Sequence, residues 1–213
     1  MGSWVKGIIG LIFLLPSWAH ANAEELRTGD LIFVGEGKGE FSKAISEATA
    51  PSDSLKFVHV GIIERSESDI QVVEASPEEG VRIISLVNFI EETPEINGVH
   101  QFVIKRLTID FPVEEVLKRT KSYLGEPYDW WYLPDNGKMY CSELVYESFL
   151  DSEGNHIFTS QPMNFRSPDG SMPQFWIDLF NELGQEVPEG VPGTNPSDLS
   201  KSPFLRTINF ADK

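Results

Sequence analysis

The order of hydrophobic patterns along the chain predicts an α+β protein with an antiparallel sheet. Three runs rich in Val and Ile follow one another between residues 57 and 86, separated by short polar turns. Patterns with the spacing of amphipathic helices flank these runs and do not alternate with each of them. Such an order favours a sheet with segregated helices over repeated βαβ units.

The individual elements are expected from their composition and from their boundary residues. Pro112 suits the first position of a helix, and Gly125 and Gly184 suit the positions just after one. Strands are expected at residues 31–34, 57–63, 70–75, 81–86 and 99–107, which are apolar or β-branched runs. Helices are expected at residues 41–49, 87–92, 112–123 and 171–183, and after the cysteine at position 141.

The first 23 residues have the pattern of a secretory signal peptide. Lys6 gives the positive start, residues 7–15 the apolar centre, and Ala21-Asn22-Ala23 a small-x-small cleavage site. This apolar run is too short to span a membrane, and no later run is long enough. The sequence therefore predicts an exported protein, periplasmic or secreted, that is cleaved after Ala23. An uncleaved anchor at the membrane surface is the alternative.

The remaining residues, 24–213, are enough for a single domain with its own core. From about residue 185 the chain is rich in proline, and we expect this tail to be extended and to wrap the domain. Disorder is the competing interpretation of the tail. The chain gives no indication of its oligomeric state.

The charge balance argues against an anionic partner. The chain has 33 Asp and Glu against 17 Lys and Arg, a formal net charge of −16. A polyanion such as nucleic acid would be repelled by this excess, so no nucleic-acid partner is expected.

Cys141 is the only cysteine, so an internal disulfide is impossible. It lies where a loop rich in Gly, Pro and Asp, residues 125–138, gives way to apolar residues with helical spacing. In the first turn of a helix, unpaired N–H groups and the helix dipole stabilise a thiolate, which favours a nucleophile. The alternative is that Cys141 is a small buried hydrophobe.

A cysteine nucleophile needs a base, and the base usually needs a group that orients it. His59 lies inside an apolar strand, where Gly61 leaves room on the same face, and Glu74 is likewise a charge in an apolar strand. If the two strands form a hairpin that turns at residues 66 and 67, Ile63 faces Ile70 and His59 faces Glu74. Directly opposed Cβ atoms lie about 4.5–5.5 Å apart, so the two side chains would meet. A structural His59–Glu74 pair is the alternative.

The other histidines are weaker candidates for the base. His100 lies near a strand start, and His156 is expected in a surface loop. A metal site is not expected, because the chain lacks paired ligand spacings such as CxxC or HExxH. No cofactor is expected.

Aromatic residues cluster just before the cysteine, and Tyr128, Trp130 and Tyr140 are expected to form a wall of the substrate cleft. Core packing is the alternative for these rings. A hydroxyl from Tyr128 or Tyr140, with the backbone N–H of Cys141, would serve an oxyanion.

Together these motifs resemble a known family. Residues 125–130 (GEPYDW) leading to residues 140–145 (YCSELV) resemble the cysteine motif of the NlpC-type papain-like hydrolases. Here the histidine strand, residues 58–62 (VHVGI), precedes the cysteine, as in the circularly permuted branch, the YiiX/YaeF-like enzymes. Residues 29–33 (GDLIF) and 73–75 (VEA) fit the same branch, so the resemblance covers residues 28–146, with a plausible continuation at residues 193–199.

The resemblance implies a papain-like fold, with a small antiparallel barrel-like sheet packed against the nucleophile helix. It implies Cys141 as the nucleophile, His59 as the base and Glu74 as the orienting residue. Relatives of this fold include amidases and peptidases of cell-wall peptides, and the lecithin:retinol acyltransferase group, which acts on lipids. The expected activity is therefore a cysteine hydrolase, an amidase or peptidase that cleaves an amide bond of a cell-wall peptide or an N-acyl amino acid. A lipid esterase or acyltransferase and a non-catalytic binding module are the alternatives.

Overall fold

A six-stranded antiparallel sheet forms the centre of the fold in the computed structural model, which describes residues 26–49 and 56–208. The strand order across this sheet is β10-β7-β1-β2-β3-β4, and the remaining strands form two short two-stranded pairs. In chain order the strands are β1 (Leu31–Gly35), β2 (Phe57–Arg65), β3 (Ile70–Ser76), β4 (Gly80–Ser85), β5 (Glu95–Ile96), β6 (Val99–His100), β7 (Phe102–Leu107), β8 (Gln161–Pro162), β9 (Pro192–Gly193) and β10 (Leu205–Ile208).

Helices cover both faces of the sheet. The largest core lies between one face and the helix that begins at Cys141, whose Leu144 and Val145 are fully buried there. A second core lies on the opposite face, where Phe89 and Ile90 pack against the strands. The helices are α1 (Glu40–Thr49), α2 (Leu86–Glu92), α3 (Val113–Ser122), α4 (Cys141–Ser148), α5 (Gln174–Leu183) and α6 (Pro196–Ser200).

The predicted α+β class with an antiparallel sheet is confirmed. The alternation of apolar residues along β1 explains why the sheet has a core on each face. Leu31 and Phe33 face the α4 side, whereas Ile32 and Val34 face the α2 side, and all four are buried. Side chains of a strand point alternately to its two faces, so a continuous apolar run is needed when both faces are covered.

Some predicted boundaries are wrong. The strand expected at residues 99–107 is two strands, β6 and β7, and Gln101 between them bonds the backbone of Pro94 and Gly35. The helix expected from residue 171 begins at Gln174, because Pro173 has an extended ψ of 137°. Its predicted end is confirmed at Gly184, which adopts the left-handed conformation with φ 64°.

The proline-rich tail is ordered from residue 185 to residue 208, but it is not simply extended. It contributes β9, the short helix α6 and the edge strand β10, which pairs with β7. Ser197 of α6 exchanges hydrogen bonds with the backbone of Phe57 at 3.0 Å, which fixes the tail to the start of β2. The predicted signal peptide lies outside the described residues.

No helix within residues 26–49 and 56–208 has both the length and the apolar character needed to cross a bilayer.

Candidate active site

Cys141 is the first residue of α4, and its side chain is only 3% exposed. The helix is held in place by its buried apolar residues, so the position of the sulfur is set by the packing of α4 on the sheet. Just before it, the backbone N–H of Tyr140 donates to the Glu143 carboxyl group at 3.3 Å. This bond satisfies one of the backbone donors that a helix start leaves unpaired.

His59 and Glu74 form a short hydrogen bond, with Nε2 and Oε2 2.5 Å apart. Both side chains are largely buried, at 19% and 4% exposure. Because Nε2 is bonded to Glu74, Nδ1 is the ring nitrogen left for the Cys141 sulfur, which is near enough for its charge to raise the pKa of His59. The structure therefore brings together the three residues that the sequence singled out.

The register predicted for this hairpin is nevertheless wrong by two residues. Arg65 pairs with Ile70 and Ile62 with Val73, so the turn has four residues, 66–69. The backbone N–H of Ser66 donates to the Asp69 carbonyl across this turn at 2.9 Å. A shift of two residues preserves the side-chain alternation, so His59 and Glu74 stay on the same face and meet diagonally.

A β-bulge lies next to His59. Val34 of β1 is opposite His59, but the following Gly35 is opposite Phe57, so Val58 is an extra residue in β2. Bulges bend a strand and redirect its side chains, and they are common beside active sites. On the α2 side, the His59 ring stacks on Phe89 with centroids 6.0 Å apart. The bulge therefore lies directly beside the histidine in β2.

Opposite charges dominate the protonation of His59. Burial alone would lower its pKa, but the negative charges and hydrogen bonds of Cys141 and Glu74 outweigh burial and raise the pKa of His59 to about 10. Burial would raise the pKa of Glu74, yet His59 and Arg82 hold it below its usual value. At neutral pH the site therefore favours a protonated His59 beside an ionised Glu74.

Arg82 is a member of this cluster that the sequence analysis missed. Its Nε donates to Glu74 Oε1 at 2.8 Å, on the oxygen that His59 does not use. The signal was present, because Arg82 is the one charged residue in the apolar run at residues 81–86. The role of Arg82 could be inferred only from the pairing of β3 with β4, which places Glu74 directly opposite it.

Two cavities flank the site. The first is mostly apolar, has a volume of about 470 Å³ including space open to solvent, and contains Cys141 in its wall with Met163, Phe165 and Trp176. The second has a volume of about 700 Å³, counted in the same way, and its wall contains His59, Glu74 and Arg82. The two cavities share three lining residues, Ile45, Val58 and Tyr128. Nucleophile and base thus face adjoining spaces of different polarity.

The aromatic residues predicted for the cleft occupy different positions. Tyr128 and Tyr140 line the apolar cavity, and the Tyr140 hydroxyl accepts a hydrogen bond from the backbone of Thr194 at 3.1 Å. Burial raises the pKa of both phenols, so their hydroxyls keep their protons. Trp130 lines neither of these two cavities and packs against Phe41 and Tyr128, with ring centroids 5.1 and 4.9 Å away.

The two other described histidines lie elsewhere. His100 bonds Thr93 through Nδ1 at 3.1 Å. His156 bonds the carbonyl of Tyr146 and stacks on that tyrosine ring at 3.8 Å. Of the described histidines, only His59 has a pKa shift in which the charge of Cys141 takes part.

A helix that starts at a cysteine and packs on an antiparallel sheet, with a histidine from the sheet at the sulfur, is the arrangement of papain-like cysteine hydrolases. Comparison with known proteins agrees with this class. The chain belongs to the family of permuted papain-like amidases of the YaeF/YiiX type, whose sequence model matches residues 25–209.

Two relatives show how far the similarity extends. The chain is 26% identical to the Escherichia coli protein YiiX, itself described as uncharacterised, over 204 residues that cover 94% of this chain and 93% of YiiX. It also resembles a crystal structure described as the metalloprotein yiiX, from another Escherichia coli strain, with a TM-score of 0.66 and 25% identity. That match covers 85% of this chain and 96% of the other.

The term metalloprotein applies to that relative. Within residues 26–49 and 56–208 of the present chain, no group of three or more His, Cys, Asp and Glu side chains is arranged to hold a metal ion. The expectation that the site works without a metal remains a prediction.

Proposed function

We propose that this protein is an exported cysteine amidase in which Cys141, His59 and Glu74 act as nucleophile, acid–base group and orienting group. The observation that carries the proposal is the short His59–Glu74 hydrogen bond beside Cys141, whose charge raises the pKa of His59. Family membership supports amidase chemistry in general. The substrate class we favour is an amide of a cell-wall peptide or of an N-acyl amino acid.

The reaction follows from the charges at the site. The Cys141 thiolate attacks the amide carbonyl carbon, forming a C–S bond and an oxyanion. As the intermediate collapses, the C–N bond breaks, and His59 gives its proton to the departing nitrogen. Water then attacks the thioester, neutral His59 takes a proton from it, and the C–S bond breaks to release the acid and the thiolate.

The protonation of His59 favours amides among the possible substrates. An amine is a poor leaving group unless it receives a proton as the C–N bond breaks, whereas an alkoxide leaves with less help. An imidazolium held between Cys141 and Glu74, with its pKa raised to about 10, is available to donate that proton at neutral pH.

The oxyanion would be stabilised by the backbone N–H of Cys141 and by a phenol. Of the two predicted tyrosines we favour Tyr140 for this role. Its oxygen already accepts from Thr194, so its own hydroxyl hydrogen is available for donation. Loss of this hydroxyl is expected to reduce kcat more than KM, because the bond forms only in the transition state.

A lipid esterase or acyltransferase is the second candidate, and the apolar cavity favours it. A mostly apolar pocket with Met163, Phe165 and Trp176 in its wall suits the hydrocarbon part of an acyl group. Both N-acyl amides and lipid esters would place their acyl chain beside Cys141. The cavity alone therefore does not distinguish an amide substrate from an ester.

The deciding experiment compares matched substrates. Residues 24–213 are purified and supplied with amides and esters of the same N-acyl amino acid, and with a phospholipid. Hydrolysis of the amides that disappears in Cys141→Ala and His59→Ala supports the proposal. Turnover of esters or phospholipid alone supports the second candidate. A binding module is indicated if Cys141 reacts with iodoacetamide no faster than a free thiol and no substrate is cleaved.

Export is tested separately. The start of the chain supports it, with Lys6, an apolar centre and the small-x-small sequence that ends at Ala23. N-terminal sequencing of the protein recovered from the cell exterior or periplasm should begin at Glu24. Recovery of the intact N-terminus in the cytoplasm would contradict the proposal.

A further inference from the structure

We propose that Arg82 is a positioning residue of this site, which keeps Glu74 ionised and correctly turned toward His59. The inference rests on the proposed function, and it adds Arg82 as a fourth residue to Cys141, His59 and Glu74.

The geometry divides the Glu74 carboxylate between two partners. Oε2 contacts His59 Nε2 at 2.5 Å, while Oε1 accepts from Arg82 Nε at 2.8 Å and lies 2.7 Å from a terminal nitrogen of the same guanidinium. With both oxygens engaged from opposite sides, the carboxylate cannot rotate without breaking a bond. The strand pairing explains why one oxygen of Glu74 meets Arg82, since the two residues are directly opposed on β3 and β4.

Charge balance explains why the site needs this cation. In its ion-pair form the cluster contains two anions, Cys141 and Glu74, and one internal cation, His59. Glu74 is 4% exposed, so water gives its charge little solvation. Arg82 makes the cluster neutral overall. Without Arg82, two buried anions would share a single imidazolium. The uncompensated negative charge would then favour protonation of Glu74.

The surroundings of Arg82 hold it in this position. Glu79, beside β4, accepts from one terminal nitrogen at 3.0 Å, and Glu92 of α2 accepts from the other at 2.5 Å. Both glutamates are more than half exposed, so water screens their charges. Nearby Glu78 is bonded to Ser76. The guanidinium is therefore oriented by exposed carboxylates, while its strongest electrostatic partner is the buried Glu74.

The experiment follows the pH dependence of the thiol and of turnover in Arg82→Gln, Arg82→Lys and a matched control. Lys121→Gln is the control, because Lys121 forms a 2.6 Å ion pair with Glu64 on the neighbouring strand β2 and does not bond Glu74. Two rates are measured across the acid range: alkylation of Cys141 by iodoacetamide, a small neutral probe, and kcat/KM on the N-acyl amide. Thermal unfolding checks that each variant is folded.

In Arg82→Gln we expect the acid limb of both profiles to move up by about one pH unit, which slows both rates about tenfold below the limb. Arg82→Lys keeps the charge but not the paired N–H donors, so its limb should move by less than half as much. Lys121→Gln should match the wild type. If Arg82→Gln does not fold, the smaller shift in Arg82→Lys carries the test.

The inference is overturned if the folded Arg82 variants keep the wild-type acid limb, even when their rates are lower, because a merely structural role would reduce rates without moving the limb. The two readouts also separate this inference from the proposed function. If no amide is cleaved but the alkylation limb moves as expected, Arg82 positions Glu74 and the hydrolase proposal fails.

Discussion

His59 and Glu74 bond diagonally across two strands, not directly opposite each other. Continuing the observed pairing of Ile62 with Val73 would place Glu74 opposite Gly61, two residues from His59. Diagonal neighbours on adjacent strands have Cα atoms about 7–8 Å apart, a distance that only long or aromatic side chains bridge. The length of the glutamate side chain is therefore as important as its charge.

This diagonal geometry predicts that Glu74→Asp is nearly as damaging as Glu74→Gln. Aspartate keeps the charge but is one methylene shorter, so it should lose contact with His59. We expect kcat/KM on the N-acyl amide to fall by roughly 10²–10⁴ in both variants, since an orienting carboxylate has effects of this size. Glu64→Asp, on β2, is the matched control. Near-wild-type activity of Glu74→Asp would show that charge alone suffices.

The raised pKa of His59 predicts a loss of amide hydrolysis at high pH. Once the pH passes the value of about 10, the imidazole is neutral and has no proton for the leaving amine. We expect kcat/KM to decline with an apparent pKa near 10, a value that belongs to the coupled Cys141–His59 pair. Alkylation of Cys141 should not decline there, because the thiolate persists. A decline of hydrolysis near neutral pH would contradict this assignment.

Glu143 should make stability depend on pH. Burial, and then the charge of Asp129, raise its pKa from 4.5 to about 8. Between these values the folded chain holds a proton that the unfolded chain has released, so stability falls as pH rises through this range. In Glu143→Gln this fall, at most about 1.4 kcal/mol per pH unit, should be absent. Urea unfolding at several pH values measures it, with the exposed Glu115→Gln as control. Equal slopes in all three proteins would refute the prediction.

Gly61 should be intolerant of even a methyl group. The sequence analysis expected it to leave room for an approaching group, but a Cβ there would lie 2.4 Å from Val72 and 3.4 Å from Phe89, so packed side chains fill the space. Gly61→Ala should cost about 1–3 kcal/mol in urea unfolding, as overpacked cores do. Gly39→Ala, where a Cβ would meet no atom within 4 Å, is the control. Rescue of Gly61→Ala by Val72→Ala would identify the clash.

Chelation of metals should leave hydrolysis unchanged. The proposed reaction draws its nucleophile and its proton transfers from Cys141 and His59, and Nε2 of that histidine is bonded to Glu74. Treatment with EDTA should therefore not reduce kcat/KM on the N-acyl amide. An activity that EDTA removes and that added Zn²⁺ restores would place a metal in the mechanism, and would connect this chain with the relative described as a metalloprotein.

Much of the architecture follows from local sequence. Apolar runs such as that of β1, and stop signals such as Gly184, act within a few residues, so they identify strands and helix ends without knowledge of the fold. The same locality identified Cys141, at a predicted helix start, and the polar residues His59 and Glu74 in apolar strands. Each is conspicuous against its own neighbours in the chain.

Only the tertiary structure decided how these residues meet. The turn after β2 set the register, the bulge at Val58 bent the strand beside His59, and the pairing of β3 with β4 placed Arg82 on Glu74. Register depends on the sum of many contacts across strands, and no single residue specifies it. The sequence by itself therefore determined which side chains carry charge in apolar surroundings, whereas packing of the sheet determined their partners.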